Sequence, residues 1–73
     1  MQLLLLINAD KTSVLDIVNA LEKMPNVVEV FPTFGRFDIA VFCEVDSTDA
    51  IKQLLKEVSM LKGIIKIEGF LEI

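Results

Sequence analysis

The chain has 73 residues, 53% of them hydrophobic, and eleven acidic against seven basic residues leave it at net −4. A domain this small buries only about 60% of the surface its unfolded chain exposes, so there is more apolar side chain here than one thin core uses, and the surplus points to a subunit interface. The acidic balance, with no basic stripe, argues against direct binding to nucleic acid or to an anionic lipid surface.

At the amino end, residues 2–8, QLLLLIN, read as a strand whose apolar run lacks alternation, the pattern of a strand covered on both faces. The run is too short to span a bilayer and lacks the basic flank of a signal peptide, so the expected compartment is the cytoplasm. From Thr12 to Met24 the apolar residues Val14, Leu15, Ile17, Val18, Leu21 and Met24 recur at helical spacing. Candidate caps are Asp10, Thr12 or Ser13, and the helix stops before Pro25, because the residue ahead of a proline is pushed out of the helical region.

Residues 27–34, VVEVFPTF, then read as a second strand and residues 37–45, FDIAVFCEV, as a third. Gly35-Arg36 between them gives a two-residue hairpin signal, since glycine supplies the positive φ of a tight turn. Pro32 has no N–H to donate to a ladder on both sides, which assigns the second strand to a sheet edge or a bulge. Asp46-Ser47-Thr48-Asp49 caps a second helix that turns Ile51, Leu54, Leu55, Val58 and Leu61 inward and is expected to end at Gly63. The last strand covers 64–73.

The two halves repeat. Shifting the first helix by 37 residues lays Val14, Ile17, Val18, Leu21, Met24 and Val27 onto Ile51, Leu54, Leu55, Val58, Leu61 and Ile64. A duplicated βαβ unit joined by a hairpin predicts an α+β, ferredoxin-like βαββαβ sandwich: a four-stranded antiparallel sheet in the order 4-1-3-2 with both helices on one face. The whole chain, 1–73, is then one domain. The open face is mixed rather than polar, with Phe42 and Phe70 among Asp38, Glu44, Lys66 and Glu68, so it is expected to pack on a second sheet in a symmetric dimer.

Much chemistry is missing. With no histidine, tyrosine or tryptophan and a single cysteine, no Ser-His or Cys-His pair and no zinc site can be assembled. Cys43, flanked by Val41, Phe42 and Val45, reads as a small core hydrophobe. The first loop, NADKTS, lacks the CxxC that a copper chaperone of this topology needs. No cofactor, no metal and no enzymatic activity are expected.

The MPNVVEVF segment, then GRFD before an apolar strand, an acidic helix start and LKGIIKIEGFLEI at the end resemble the effector-binding domain of Lrp/AsnC (feast/famine) regulators, also called the RAM domain. The resemblance covers residues 2–73 and is to the stand-alone form that lacks a helix-turn-helix. It implies dimers joined sheet to sheet in the manner of a dimeric α/β barrel, higher assembly of those dimers, and an amino-acid effector held between them near the glycine hairpin. Gly35, Arg36, Phe37 and Asp38 are the ligand-binding residues it implies: backbone N–H groups at the turn and Arg36 for the ligand's carboxylate, Asp38 for its ammonium group. Full-length Lrp/AsnC regulators are the partners it implies, with no direct contact to DNA and no membrane. Many members carry threonine just before this glycine and two threonines in the last strand, where this chain has Phe34, Ile67 and Gly69. Two alternatives follow: a more apolar effector, or a ligand-free module that serves only for oligomerisation or for capping a partner.

Overall fold

The computed structural model describes residues 1–72. Strand β1 (Gln2–Ala9) leads through a 3-10 turn (Lys11–Ser13) into helix α1 (Val14–Glu22); β2 (Val27–Pro32) and β3 (Ile39–Glu44) form a hairpin; α2 (Thr48–Ser59) returns the chain to β4 (Ile64–Glu72). The sheet order is β2-β3-β1-β4 with every neighbouring pair antiparallel. This is the ferredoxin-like order expected from the repeat, and it puts Pro32 on an edge strand, where its missing N–H costs no ladder bond. Residue 73, assigned to the last strand from the sequence, lies outside the described residues.

The core lies between the sheet and the helices. Leu3, Leu5 and Ile7 of β1 alternate with half-buried Leu4 and Leu6, and they meet Ile39, Val41 and Cys43 of β3 together with Ile17, Val18 and Leu21 of α1 and Leu54 and Val58 of α2. Each large side chain fully removed from water there contributes about 1.5–3 kcal/mol. Ser47 caps α2 by accepting the Ala50 N–H at 3.1 Å, while Asp10 accepts the Thr12 N–H and hydroxyl at the start of the 3-10 turn.

The duplication extends to the backbone. At the exit of α1, the N–H groups of Lys23, Met24 and Val27 donate to the carbonyls of Ala20, Leu21 and Met24; 37 residues on, those of Met60, Leu61 and Ile64 donate to Glu57, Val58 and Leu61. Each edge strand then carries a register irregularity near its start, and the residues there, Val28 and Ile65, are again 37 apart and equally exposed.

Two sequence expectations are corrected. The hairpin is not a two-residue turn: the ladder ends at the pair Pro32 and Ile39, and residues 33–38 form a longer loop. Thr33 accounts for the difference, because its N–H donates to the Asp38 carbonyl at 2.9 Å and its hydroxyl to the Phe37 carbonyl at 2.7 Å, which closes a wider turn. Gly63 does not end α2, which stops at Ser59; it sits at the foot of β4 with φ of +97°. A Cβ there would fall 2.5 Å from both Cβ and Oγ of Ser13, so the close approach of the β4 entry to the start of α1 requires a bare backbone.

Candidate functional site

The loop 33–38 is held at its base and open at its tip. Besides the Thr33 bonds, the Asp38 N–H donates to the Ile7 carbonyl at 2.9 Å, and the Asn8 side-chain amide donates to the Arg36 carbonyl at 2.7 Å. Four hydrogen bonds thus fasten Thr33, Arg36, Phe37 and Asp38, two within the loop and two to β1. At the tip, Phe34 is fully exposed, and a Cβ built on Gly35 would meet nothing within 4 Å. Gly35 is required there by its φ of +104°, not by crowding.

Asp38 is the one buried charged residue among those described, 8% exposed, and both its oxygens are engaged. Oδ2 accepts the Ala9 N–H at 2.8 Å, just where β1 leaves the ladder, and Oδ1 accepts from Lys11 Nζ at 2.6 Å. The Lys11 ammonium, with the Ala9 N–H next in weight, holds the carboxyl below its ordinary range despite the opposing effect of burial. Lys11 itself stays mostly in solvent. The carboxylate therefore joins three pieces of chain, the hairpin, the end of β1 and the turn before α1.

The second surface is the open face of the sheet. Phe31 and Phe42 stack there across β2 and β3, centroids 6.1 Å apart, and Leu4, Leu6 and Ala40 fill the middle. Phe42 remains 43% exposed and Phe70 53%. A groove of about 480 Å³ opens at the end of the strands away from the hairpin, floored by Leu4, Phe42 and Phe70 and flanked by Glu29, Glu44 and Glu72. Glu44 accepts from the amino terminus at 3.0 Å. Cys43, beneath this region, is buried and its thiol is pushed up to about 11, so it is a neutral packing group at physiological pH.

Of the sequence-derived site residues, the structure brings Gly35, Arg36, Phe37 and Asp38 together on one loop. It places Gly35 and the Arg36 guanidinium at the open tip and turns the Asp38 side chain inward. Ile67 is half-buried against the core, and a Cβ on Gly69 would meet Leu5 and Leu3, so both positions face the helices. Lys11 and Asn8 were missed by sequence reasoning. Each lies 27 or more residues from its partner, and the only available signal was a polar residue near the end of an apolar strand, Asn8, and another in the turn after it, Lys11. Among the described residues no group of three or more His, Cys, Asp or Glu could hold a metal ion, and no helix is long and apolar enough to cross a membrane.

The family model of the Lrp/AsnC ligand binding domain matches residues 2–71. No curated protein matches the chain. Solved structures share its fold at low identity. The protein TTHA0845 of Thermus thermophilus superposes with a TM-score of 0.94 at 19% identity, covering 99% of this chain and 91% of that one. E. coli AsnC gives 0.85 at 20% identity over 94% of this chain and 48% of its own. The transcriptional regulator NMB0573 of Neisseria meningitidis, solved as a complex with L-Met, gives 0.84 at 17% identity over 94% of this chain and 47% of that regulator.

Proposed function

This chain belongs to the family of Lrp/AsnC ligand-binding domains, regulatory and non-enzymatic modules, and on that premise we propose that it binds a small amino-acid effector at the 33–38 hairpin and assembles with copies of itself through the open sheet face. The observation that carries the reading is the loop's construction: a base fastened by four hydrogen bonds supporting a tip where backbone and a guanidinium stand free. A preorganised loop loses little entropy on binding. Its tip offers what a free amino acid's carboxylate requires, N–H groups beside Gly35 and the Arg36 fork. Asp38 and Lys11 hold the loop at this height, and a ligand's ammonium group competes with Lys11 for Asp38 Oδ1. The complex of NMB0573 with L-Met supports the amino-acid class. Phe34 in place of the threonine common in such domains favours an effector with an apolar side chain. Regulation follows by linkage: a ligand held between subunits stabilises that assembly by its differential affinity for it. With a net charge of −4, contact with DNA is left to a partner regulator.

A second reading, a ligand-free assembly module, draws on one observation: both Asp38 oxygens already have partners inside the chain. The two separate on Arg36→Ala, which touches no ion pair among the described residues. On the sensor reading, calorimetric binding of the effector weakens at least about tenfold, a loss of about 1.4 kcal/mol, with the thermal midpoint unchanged. Binding that is absent from the unsubstituted protein, or unaltered in the variant, overturns the assignment of the tip.

A further inference from the structure

We propose that Lys11 is the gate of the hairpin site: its ammonium masks Asp38 Oδ1 in the free protein and yields that oxygen only to a ligand bearing a free ammonium group. This rests on the amino-acid reading above and names the residue that sets the affinity and selectivity of that site. The two oxygens of Asp38 are held by partners of different kinds. Oδ2 accepts at 2.8 Å from the Ala9 N–H, a backbone group at the end of β1. Oδ1 accepts at 2.6 Å from Lys11 Nζ, at the end of a flexible side chain that is 83% exposed. A backbone donor cannot leave without unmaking the end of the strand, whereas an exposed lysine regains rotamer freedom and full hydration when it lets go. Oδ1 is therefore the exchangeable position and Oδ2 the fixed one.

The carboxylate keeps its aim without the lysine. Its own backbone is tied on both sides, the Asp38 N–H donating to the Ile7 carbonyl and the Asp38 carbonyl accepting the Thr33 N–H, each at 2.9 Å. The turn that carries Lys11 is fastened independently: the Asp10 side chain accepts the Thr12 N–H and hydroxyl, and the Asp10 N–H donates to the Gly63 carbonyl at 2.8 Å. Release thus moves one side chain and leaves both backbones in place. Whatever replaces the lysine has to carry a positive charge, because Asp38 is buried and a neutral donor leaves its charge uncompensated. A free amino acid meets that condition. A carboxylic acid without an amino group does not, and its own charge is repelled. Competition of this kind divides the intrinsic affinity by the fraction of molecules whose Oδ1 is open. An exposed ion pair keeps Oδ1 masked in about three-fifths to five-sixths of the molecules, so the gate lowers affinity about two- to sixfold.

The test compares the unsubstituted protein with Lys11→Met, which keeps most of the side chain's length and removes its charge, at one fixed protomer concentration. In NMR spectra the Ala9 amide, whose resonance Asp38→Ala displaces, is expected to keep its hydrogen-bonded position in Lys11→Met. Loss of that position shows that the lysine holds Asp38 in place, and overturns the gate whether or not anything binds. Calorimetric titration with each of the twenty amino acids follows. Those that bind the unsubstituted protein are expected to bind Lys11→Met about two- to sixfold more tightly. No gain is expected in Lys11→Arg, which keeps the charge, nor for the carboxylic acids of the same side chains that lack the amino group. Equal or weaker binding by Lys11→Met, or an equal gain for the deaminated acids, overturns the gate and leaves the amino-acid reading standing. Silence of both proteins across the panel overturns both.

Discussion

Two glycines with nearly the same backbone conformation make a matched experiment. Gly35 has φ of +104° and Gly63 +97°, so an alanine at either place carries similar backbone strain, about 1–3 kcal/mol. They differ in surroundings. A Cβ at Gly35 meets nothing within 4 Å, whereas at Gly63 it lies 2.5 Å from Ser13 Cβ and Oγ. The backbone there cannot easily drift away, because the Gly63 carbonyl accepts the Asp10 N–H at 2.8 Å. Overpacking adds about 1–3 kcal/mol, so Gly63→Ala costs about 2–6 kcal/mol in all. A 73-residue domain has about 4–11 kcal/mol to lose. With a urea slope of about 1 kcal/mol/M, the midpoint of Gly63→Ala falls about 1–3 M below that of Gly35→Ala. Far-ultraviolet circular dichroism follows the transition at one fixed protomer concentration, since assembly shifts apparent stability. Ser13→Gly added to Gly63→Ala recovers the packing part and leaves the strain. Equal midpoints for the two alanine variants, or no rescue, would refute the claim that close approach to Ser13 fixes Gly63. A folded Gly35→Ala protein then reports on ligand binding at a stability cost limited to the backbone strain.

Phe42→Glu puts a charge in the middle of the open face and is expected to abolish dimers in sedimentation equilibrium while leaving the monomer folded, since Phe42 contributes nothing to the buried core. Asp38, its carboxyl held below the ordinary value near 3.8 by Lys11 and the Ala9 N–H, favours the native state at neutral pH; that contribution fades as pH falls from the ordinary value through the depressed one, so Asp38→Asn flattens acid denaturation in this window. Cys43, raised from an ordinary 9.0 to about 11, binds its proton more tightly when folded, so stability declines as pH climbs above about 9, and a thiol reagent at neutral pH labels it only when urea opens the core. Leu5→Ala, at a position with no exposure and on the central strand, costs about 2–5 kcal/mol in urea melts.

The fold was legible because its determinants are local and periodic. Six apolar positions repeating at 37 residues marked a duplicated βαβ unit, which gave the strand order, and Pro32 agreed with the edge place that this order assigns to β2. The hairpin was misread because Gly35 is a strong local signal, and Thr33, whose hydroxyl widens the turn, a weak one. Gly63 looked like a helix terminator four residues too late, since its reason for being glycine is Ser13, fifty residues earlier in the chain. The candidate site was half visible: the GRFD stretch marked the loop that carries Asp38, but the inward turn of Asp38 depends on Ala9 and Lys11, partners that no spacing rule connects to it. The open face was legible as an excess of apolar residues. Its groove, assembled from the ends of four strands, was not.

The claim that this domain reads an amino acid is tested most directly by calorimetric titration of the protein, at a concentration where its oligomer is intact, with each of the twenty amino acids in turn; with neither tryptophan nor tyrosine in the chain, intrinsic fluorescence offers little. The account predicts saturable heat with one or a few apolar amino acids, and its loss in Arg36→Ala. Silence across all twenty with the oligomer intact would contradict it and leave the module of assembly alone.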